Sequence, residues 1–328
     1  MKVIAFATRH DEMDGFENIS RKLGIKVKHV SERLTLETVD EAKGFEFVSI
    51  LGNCEVNSDV LERLNGFGVK YIASRSIGYN NIDIEKAKEL GISISNATYS
   101  PNCVADFTVM LMLMSIRKVA WGLDRAKLND YSVRGLQGRE MHNLVIGVIG
   151  TGKIGQAVIK NLSGFNCKIL AYDIYENENM KKHVEYVDMD TLYKESDIIT
   201  IHSPLFDSNY HLINKESMNK MKDGVVIINT SRGELINTHD LIKALECGKV
   251  GAAGLDVLEN EEGIFHSDCR FSEVKNNEIK ILKQMKNVIL THHFAFYTDQ
   301  AVYDMVGCAL NSLRAFNDNL ENQYLITS

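Results

Sequence analysis

The chain has 328 residues, 45% hydrophobic and 25% charged, which is ordinary globular composition for about two domains. A net charge of −7, with no dense Lys/Arg stripe, argues against a nucleic-acid surface. Six scattered cysteines without a Cys-x-x-Cys pair predict reduced thiols and no metal site.

In chain order, the apolar run at residues 3–7 is too short for a secretory signal and reads as a buried first strand. Further strands are expected at 47–51, 71–74 and 92–95, with amphipathic helices at 16–23, 58–64 and 84–90. Such alternation predicts a parallel sheet with helices on both faces, so the first hundred residues form a small α/β unit. Ser100 suits a helix N-cap and Pro101 a first helical residue, so a long helix is expected from there to about Leu128. Its Met-rich stretch, 109–114, is too short to span a bilayer and suits core or helix–helix contact. No membrane partner is expected, and the cytoplasm is the expected location.

A strand at 144–149 then enters the turn Gly150, Thr151, Gly152, Lys153, Ile154, Gly155, and helix-forming residues follow. Strand, glycine turn and helix form the context in which Gly-x-Gly-x-x-Gly holds a dinucleotide. Gly150 permits the turn, Gly152 leaves room for a pyrophosphate, and Gly155 lets helix and strand pack closely. The helix N-terminus then faces the phosphates with its unpaired N–H groups. The strand at 169–173 ends in Asp173, placed to accept hydrogen bonds from a ribose, which favours NAD over NADP.

Four more apolar strands follow, each ending in polar residues: His202, Ser203 and Pro204; Asn229 to Arg232; Asp256 to Glu262; and Thr291 to His293. Ligands of open α/β sheets bind at the carboxyl ends of strands, so these ends point to one crevice. Beside a nicotinamide, a carbonyl substrate needs an anion anchor and a proton donor. Arg232 suits the first role and His293 the second. Glu261 or Glu262 suits a carboxylate partner that keeps the imidazole protonated.

The ordered set of motifs resembles the D-isomer-specific 2-hydroxyacid dehydrogenases over nearly the whole chain, and among them the D-lactate dehydrogenases, including the vancomycin-resistance type. The matching pieces run from Arg75 to Asp83, Tyr99 to Asn102, the glycine turn, His202 to Pro204, Asn229 to Gly233, Gly254 to Val257 and Thr291 to Tyr297. The resemblance implies two Rossmann-like doubly wound parallel-sheet domains with an active-site cleft between them. A flavodoxin-like substrate domain would comprise 1–100 and 299–328, and an inserted NAD-binding domain 101–298. It implies catalysis by Arg232, Glu261 and His293, with Glu261 chosen by its spacing from Asp256. It also implies substrate contacts from Leu51, the Ile77 and Gly78 amides and Tyr99. Cofactor contacts would come from Gly150 to Gly155, Asp173, His202, Ser203, Pro204, Asn209, Thr230, Ser231, Arg232 and Asp256. A homodimer joined through the cofactor domains is implied too.

The chain departs from the family pattern where His292 replaces a proline before the catalytic histidine, which should leave that loop less constrained. Leu51 is apolar where relatives acting on dicarboxylic acids would carry a cation, so 2-hydroxyglutarate is disfavoured. The expected reaction is NADH-dependent reduction of a short 2-oxo acid, pyruvate first, to the D-2-hydroxy acid. Branched-chain or aromatic 2-oxo acids are the alternative, and an NAD(H)-sensing corepressor-like protein is the alternative outside enzymes. The chain's end soon after its last helix counts against the latter and against a phosphoglycerate dehydrogenase with an added regulatory domain.

Overall fold

The computed structural model describes residues 1–327. The chain forms two compact units: Met1–Ser100 with the segment from Tyr297, and Pro101–Phe296.

The first unit holds five parallel strands, β1 (Lys2–Ala5), β2 (Lys26–His29), β3 (Phe47–Ile50), β4 (Tyr71–Ser74) and β5 (Ser93–Ser95). Their order is β2-β1-β3-β4-β5. Alternate side chains serve the two faces, as the period of a strand requires. Ile4, Val48, Ile50, Ile72 and Ile94 pack into one layer. Val3, Ala5, Phe47 and Ala73 pack into the other, against Phe16 and Ile19 of the helix Met13–Leu23 and against Val306, Leu310 and Leu313 of the helix Asp299–Asn317. Edge strand β2 has no counterpart in the sequence reading. Its Lys-Val-Lys-His sequence buries almost nothing, so no apolar run announces it.

A buried ion pair ties the carboxyl ends of this sheet together. The fully buried Arg75 guanidinium, just past β4, donates from Nε to Glu12 Oε1 at 2.8 Å, from Nη1 to Ser49 Oγ at 2.9 Å and from Nη2 to the Phe6 carbonyl at 2.8 Å. Glu12 is also fully buried and accepts from the Arg9 amide at 2.9 Å.

The second unit holds seven parallel strands: β6 (Val145–Ile149), β7 (Lys168–Tyr172), β8 (Glu185–Tyr186), β9 (Ile198–Ile201), β10 (Val225–Asn229), β11 (Val250–Leu255) and β12 (Val288–Leu290). The order β12-β11-β10-β9-β6-β7-β8 reverses direction between β6 and β9, which is where open sheets of this kind bind ligands. The central strands β9 and β10 are buried throughout, as strands covered on both faces must be.

The single long helix expected after Ser100 is instead two, Asn102–Ile116 and Val119–Lys127. Pro101 occupies the N-cap position, with no side-chain cap. At the other end, residues 128–140 fold back and the Arg139 amide takes the Ile116 carbonyl at 3.0 Å. Gly138 makes this approach possible, since a Cβ there would lie 2.6 Å from that carbonyl oxygen. The chain turns at Lys118, in the left-handed region at φ 54°. Apolar side chains all round the first helix told of burial and hid the break.

Replacing Arg75 by Leu leaves the Glu12 carboxylate buried and unpaired, and is expected to lower unfolding free energy by about 3–5 kcal/mol in urea titrations. A loss below about 1 kcal/mol would show that the pair does not hold this sheet.

Candidate active site

The glycine turn closes β6 and opens the helix Lys153–Leu162. Gly150 lies at φ 92°, and a Cβ there would sit 2.7 Å from the His202 carbonyl oxygen. A Cβ on Gly155 would collide with the Gly150 carbonyl, so only glycine lets the helix approach β6 this closely. Gly152 is exposed, and nothing lies within 4 Å of where its Cβ would be. The three glycines thus leave an open cradle at a helix N-terminus, which fits a pyrophosphate.

Neighbouring strand ends surround that cradle. Asp173, just beyond β7, accepts from the Thr151 amide at 2.5 Å and the Thr151 hydroxyl at 2.9 Å, while its other oxygen accepts from the Tyr175 amide at 3.1 Å. Its carboxylate therefore sits at the turn, at the position suited to a ribose. His202, beyond β9, keeps Nδ1 buried without a partner, and its Nε2 meets Thr200 Oγ1 at 2.9 Å. Burial of this ring pushes its pKa down to about 3, so a neutral imidazole lies behind the phosphate cradle.

Asn209 braces the loop after β9, donating to Ser203 Oγ at 3.0 Å and to the Pro204 carbonyl at 2.8 Å. Ser231 Oγ donates to the Ser203 carbonyl at 2.5 Å, and Thr230 Oγ1 pairs with Thr108 Oγ1 at 2.9 Å. Four of the sequence-predicted cofactor residues, Ser203, Pro204, Asn209 and Ser231, thus bind one another, and Thr230 is tied to the helix Asn102–Ile116. Lys153 and Pro204 are exposed and Ile154 is half-buried.

The three catalytic candidates follow three adjacent strands, β10, β11 and β12. Glu261 and His293 are brought together: His293 Nδ1 lies 2.5 Å from Glu261 Oε1, with the side chains 32% and 20% exposed. A carboxylate oxygen only accepts, so Nδ1 carries a hydrogen and Nε2 is the nitrogen left for chemistry. The other Glu261 oxygen accepts from the Leu258 amide at 2.8 Å, which fixes the carboxylate. Arg232 is half-buried, and among the described residues its guanidinium donates to the adjacent Ser231 carbonyl at 2.8 Å and pairs with no carboxylate. A planar donor fork of this kind suits a carboxylate ligand.

Asp256, 1% exposed, turns its carboxylate toward the histidine loop. One oxygen accepts from Thr291 Oγ1 at 2.5 Å and the Phe294 amide at 3.1 Å, and the other from the Ala295 amide at 2.9 Å. Its backbone carbonyl accepts from the His293 amide at 2.7 Å. The loop that carries His293 is therefore held by a buried carboxylate. Phe294 adds an edge-on contact with Phe107 at 5.0 Å and a tilted one with His292 at 4.5 Å. His292 is exposed and packs on Phe294, apart from the Glu261 pair.

In the first unit, Ile77 and Gly78 lie in the loop after β4. Ser76 Oγ donates to the Gly78 carbonyl at 2.8 Å, and Asn96 Nδ2 to the Ile77 carbonyl at 2.8 Å. Among the described residues the Ile77 and Gly78 amides donate to no protein acceptor, which suits an anion. Leu51 is half-buried and packs against the core, and Tyr99 is half-buried.

A dinucleotide cradle on one sheet with an Arg, Glu and His set at its strand ends defines a nicotinamide-dependent oxidoreductase. Comparison with known proteins narrows this class. A model of the D-isomer specific 2-hydroxyacid dehydrogenase NAD binding domain matches residues 109–295. The chain is 46% identical over 318 residues to an aromatic 2-oxoacid reductase of Clostridium sporogenes, covering 96% of each chain. Over 319 residues it is 39% identical to a D-lactate dehydrogenase of Lactiplantibacillus plantarum, again covering 96% of each. The solved D-2-hydroxyisocaproate dehydrogenase matches with a TM-score of 0.91 at 33% identity, covering 100% of both chains. The chain belongs to the D-isomer specific 2-hydroxyacid dehydrogenase family, and its cofactor is NAD.

Because the His202 ring is kept neutral, the unfolded chain takes up a proton between about pH 6.5 and 3 that the folded chain refuses. The stability from this group is present above about pH 6.5 and is lost as pH falls, by at most about 1.4 kcal/mol per unit. Urea denaturation at pH 7 and pH 5 is expected to show a smaller drop for His202→Asn than for the wild type. Equal drops would remove the buried imidazole from the acid response.

Proposed function

We propose that this dehydrogenase reduces 2-oxo acids bearing apolar side chains, aromatic ones foremost, to D-2-hydroxy acids with NADH. The observation that carries the substrate class is the 46% identity to an aromatic 2-oxoacid reductase over 96% of both chains, against 39% for a D-lactate dehydrogenase. The apolar Leu51 agrees with it. Pyruvate is the second reading, favoured by the D-lactate dehydrogenases among the relatives.

When bound, the reduced nicotinamide supplies the hydride. Arg232 binds the substrate carboxylate and polarises the adjacent carbonyl, with the Ile77 and Gly78 amides as further donors and Tyr99 and Leu51 as side-chain contacts. His293 holds the proton for the carbonyl oxygen at Nε2. Glu261 keeps the ring oriented through Nδ1 and stabilises the imidazolium until that proton is given up. Gly150 to Gly155 cradle the pyrophosphate and Asp173 accepts from the adenosine ribose. We assign this chemistry to the cytoplasm; recovery of the native protein in a membrane fraction would contradict that assignment.

Initial rates with phenylpyruvate, 2-oxoisocaproate and pyruvate under one condition decide the substrate class. The expected kcat/KM is at least about tenfold higher for phenylpyruvate than for pyruvate, roughly the discrimination an apolar pocket makes between side chains of different size. Pyruvate leading would return the assignment to a D-lactate dehydrogenase.

The active form is proposed to be a homodimer. An apolar groove on the helix Asn102–Ile116, lined by Val109, Met110, Leu113 and Met114, supports this reading, because exposed apolar patches mark contact surfaces. A Met110→Glu, Leu113→Glu double variant is expected to halve the mass seen by light scattering. An unmutated chain that runs as a monomer at micromolar concentration would sink the dimer.

A further inference from the structure

The segment that supplies Glu261 carries a second imidazole that the reduction above does not use. Nε2 of His266 lies 2.7 Å from the backbone carbonyl of His293. A carbonyl oxygen only accepts, so His266 donates through Nε2. The two rings are 5.8 Å apart, and the His266 ring also meets Phe296 edge-on at 6.2 Å. Both histidines have left-handed backbone, at φ 60° for His266 and 58° for His293.

That conformation gives the contact its importance. A non-glycine residue in the left-handed region is uncommon and persists where its surroundings hold it. The peptide after His293 is held along both edges. Its N–H, on Phe294, donates to Asp256 Oδ1 at 3.1 Å, and its carbonyl accepts from His266. Rotation of this peptide toward a more ordinary backbone breaks both bonds and swings the base of the His293 side chain. Glu261 holds only the far end of that side chain, at Nδ1.

We propose that His266 is a positioning residue for proton transfer. By donating to the His293 carbonyl it locks the left-handed turn from which the His293 imidazole is aimed. The proposal rests on the role of His293 as proton donor. It makes His266 part of a three-point mount, with the Asp256 carbonyl on the His293 amide and Glu261 on the ring. His266 is exposed and lies outside the sheet core, so its removal is not expected to threaten folding.

The test compares wild type, His266→Phe, His266→Gln and His293→Ala in steady-state turnover with NADH and the preferred 2-oxo acid. Phe keeps the ring and loses the donor, whereas Gln keeps an N–H donor at similar reach. His266→Phe is expected to lower kcat about tenfold, within the range that an ångström of misplacement costs. KM for NADH and Tm should be unchanged, the latter within about 2 °C. His266→Gln should recover kcat to within about threefold of wild type. A His266→Phe enzyme with undiminished kcat, a Gln variant as slow as the Phe variant, or a loss confined to KM for NADH or to Tm would overturn the positioning role. Persistent turnover in His293→Ala would bring down the proton-donor assignment and this inference together. An inactive His293→Ala beside an unimpaired His266→Phe removes the positioning role alone.

Discussion

The meeting of Glu261 and His293 at the strand ends of the NAD-binding unit depends on one buried carboxylate. Asp256 leaves the sheet at the end of β11, and both of its oxygens are used to hold the loop that follows the adjacent β12. Burying a carboxylate is costly unless hydrogen bonds replace its water, and here a hydroxyl and two amides do so. The bonds are made to backbone or to a short side chain, so they set the path of residues 291–295 rather than the position of one long side chain. Glu261 and His293 meet because the two loops they belong to are laced together at Asp256.

The rest of the unit follows from parallel strands whose carboxyl ends share one edge. The order β12-β11-β10-β9-β6-β7-β8 sets the loop of His293, the loop of Glu261 and the turn of Arg232 in sequence along that edge. The loop of His202, the glycine turn and Asp173 continue it. These residues come from segments more than a hundred positions apart in the chain, yet each needs only a short polar extension beyond a buried strand. The glycines set a second limit. Gly150 and Gly155 exist where backbone meets backbone, so the phosphate cradle is formed by the packing of β6, its helix and His202 against each other.

Much of this was legible in the residues. Runs of Val and Ile at β6, β9 and β10 must be buried on both faces, and the polar residues after them had to lie at strand ends. The glycine spacing and Asp173 needed only the strand before and the strand after. Less legible were features set by contacts distant in sequence. Strand β2 has no apolar run of its own because it lies at a sheet edge. The break at Lys118 is accompanied by contacts from Arg139 and Gly138, some twenty residues later. The bonds from Asp256 to residues 291–295 leave no trace in the sequence, since a strand-end carboxylate looks the same there whatever it faces. His266 is not legible in the sequence, because a lone polar residue in an acidic segment carries no spacing signal. A histidine five positions beyond the predicted catalytic glutamate was the only trace available.

The loop of His293, with His292 where the family resemblance leads to the expectation of a proline, shows how constraint can come from outside a segment. A proline limits a loop locally, by fixing its own φ and biasing the residue before it. Without it, the sequence suggests a looser approach to His293. The structure constrains the loop from outside the segment: Asp256 holds the backbone, Phe107 packs on Phe294, and His266 donates to the His293 carbonyl. These contacts act on residues 293–295, after the missing proline rather than at it. Restraint falls on His293 and the two residues after it, while His292 itself is exposed and rests on Phe294. A mount built from side chains is also divisible. Each of its bonds can be removed singly without altering the strand that delivers the loop, whereas a proline's effect on the backbone is all or nothing.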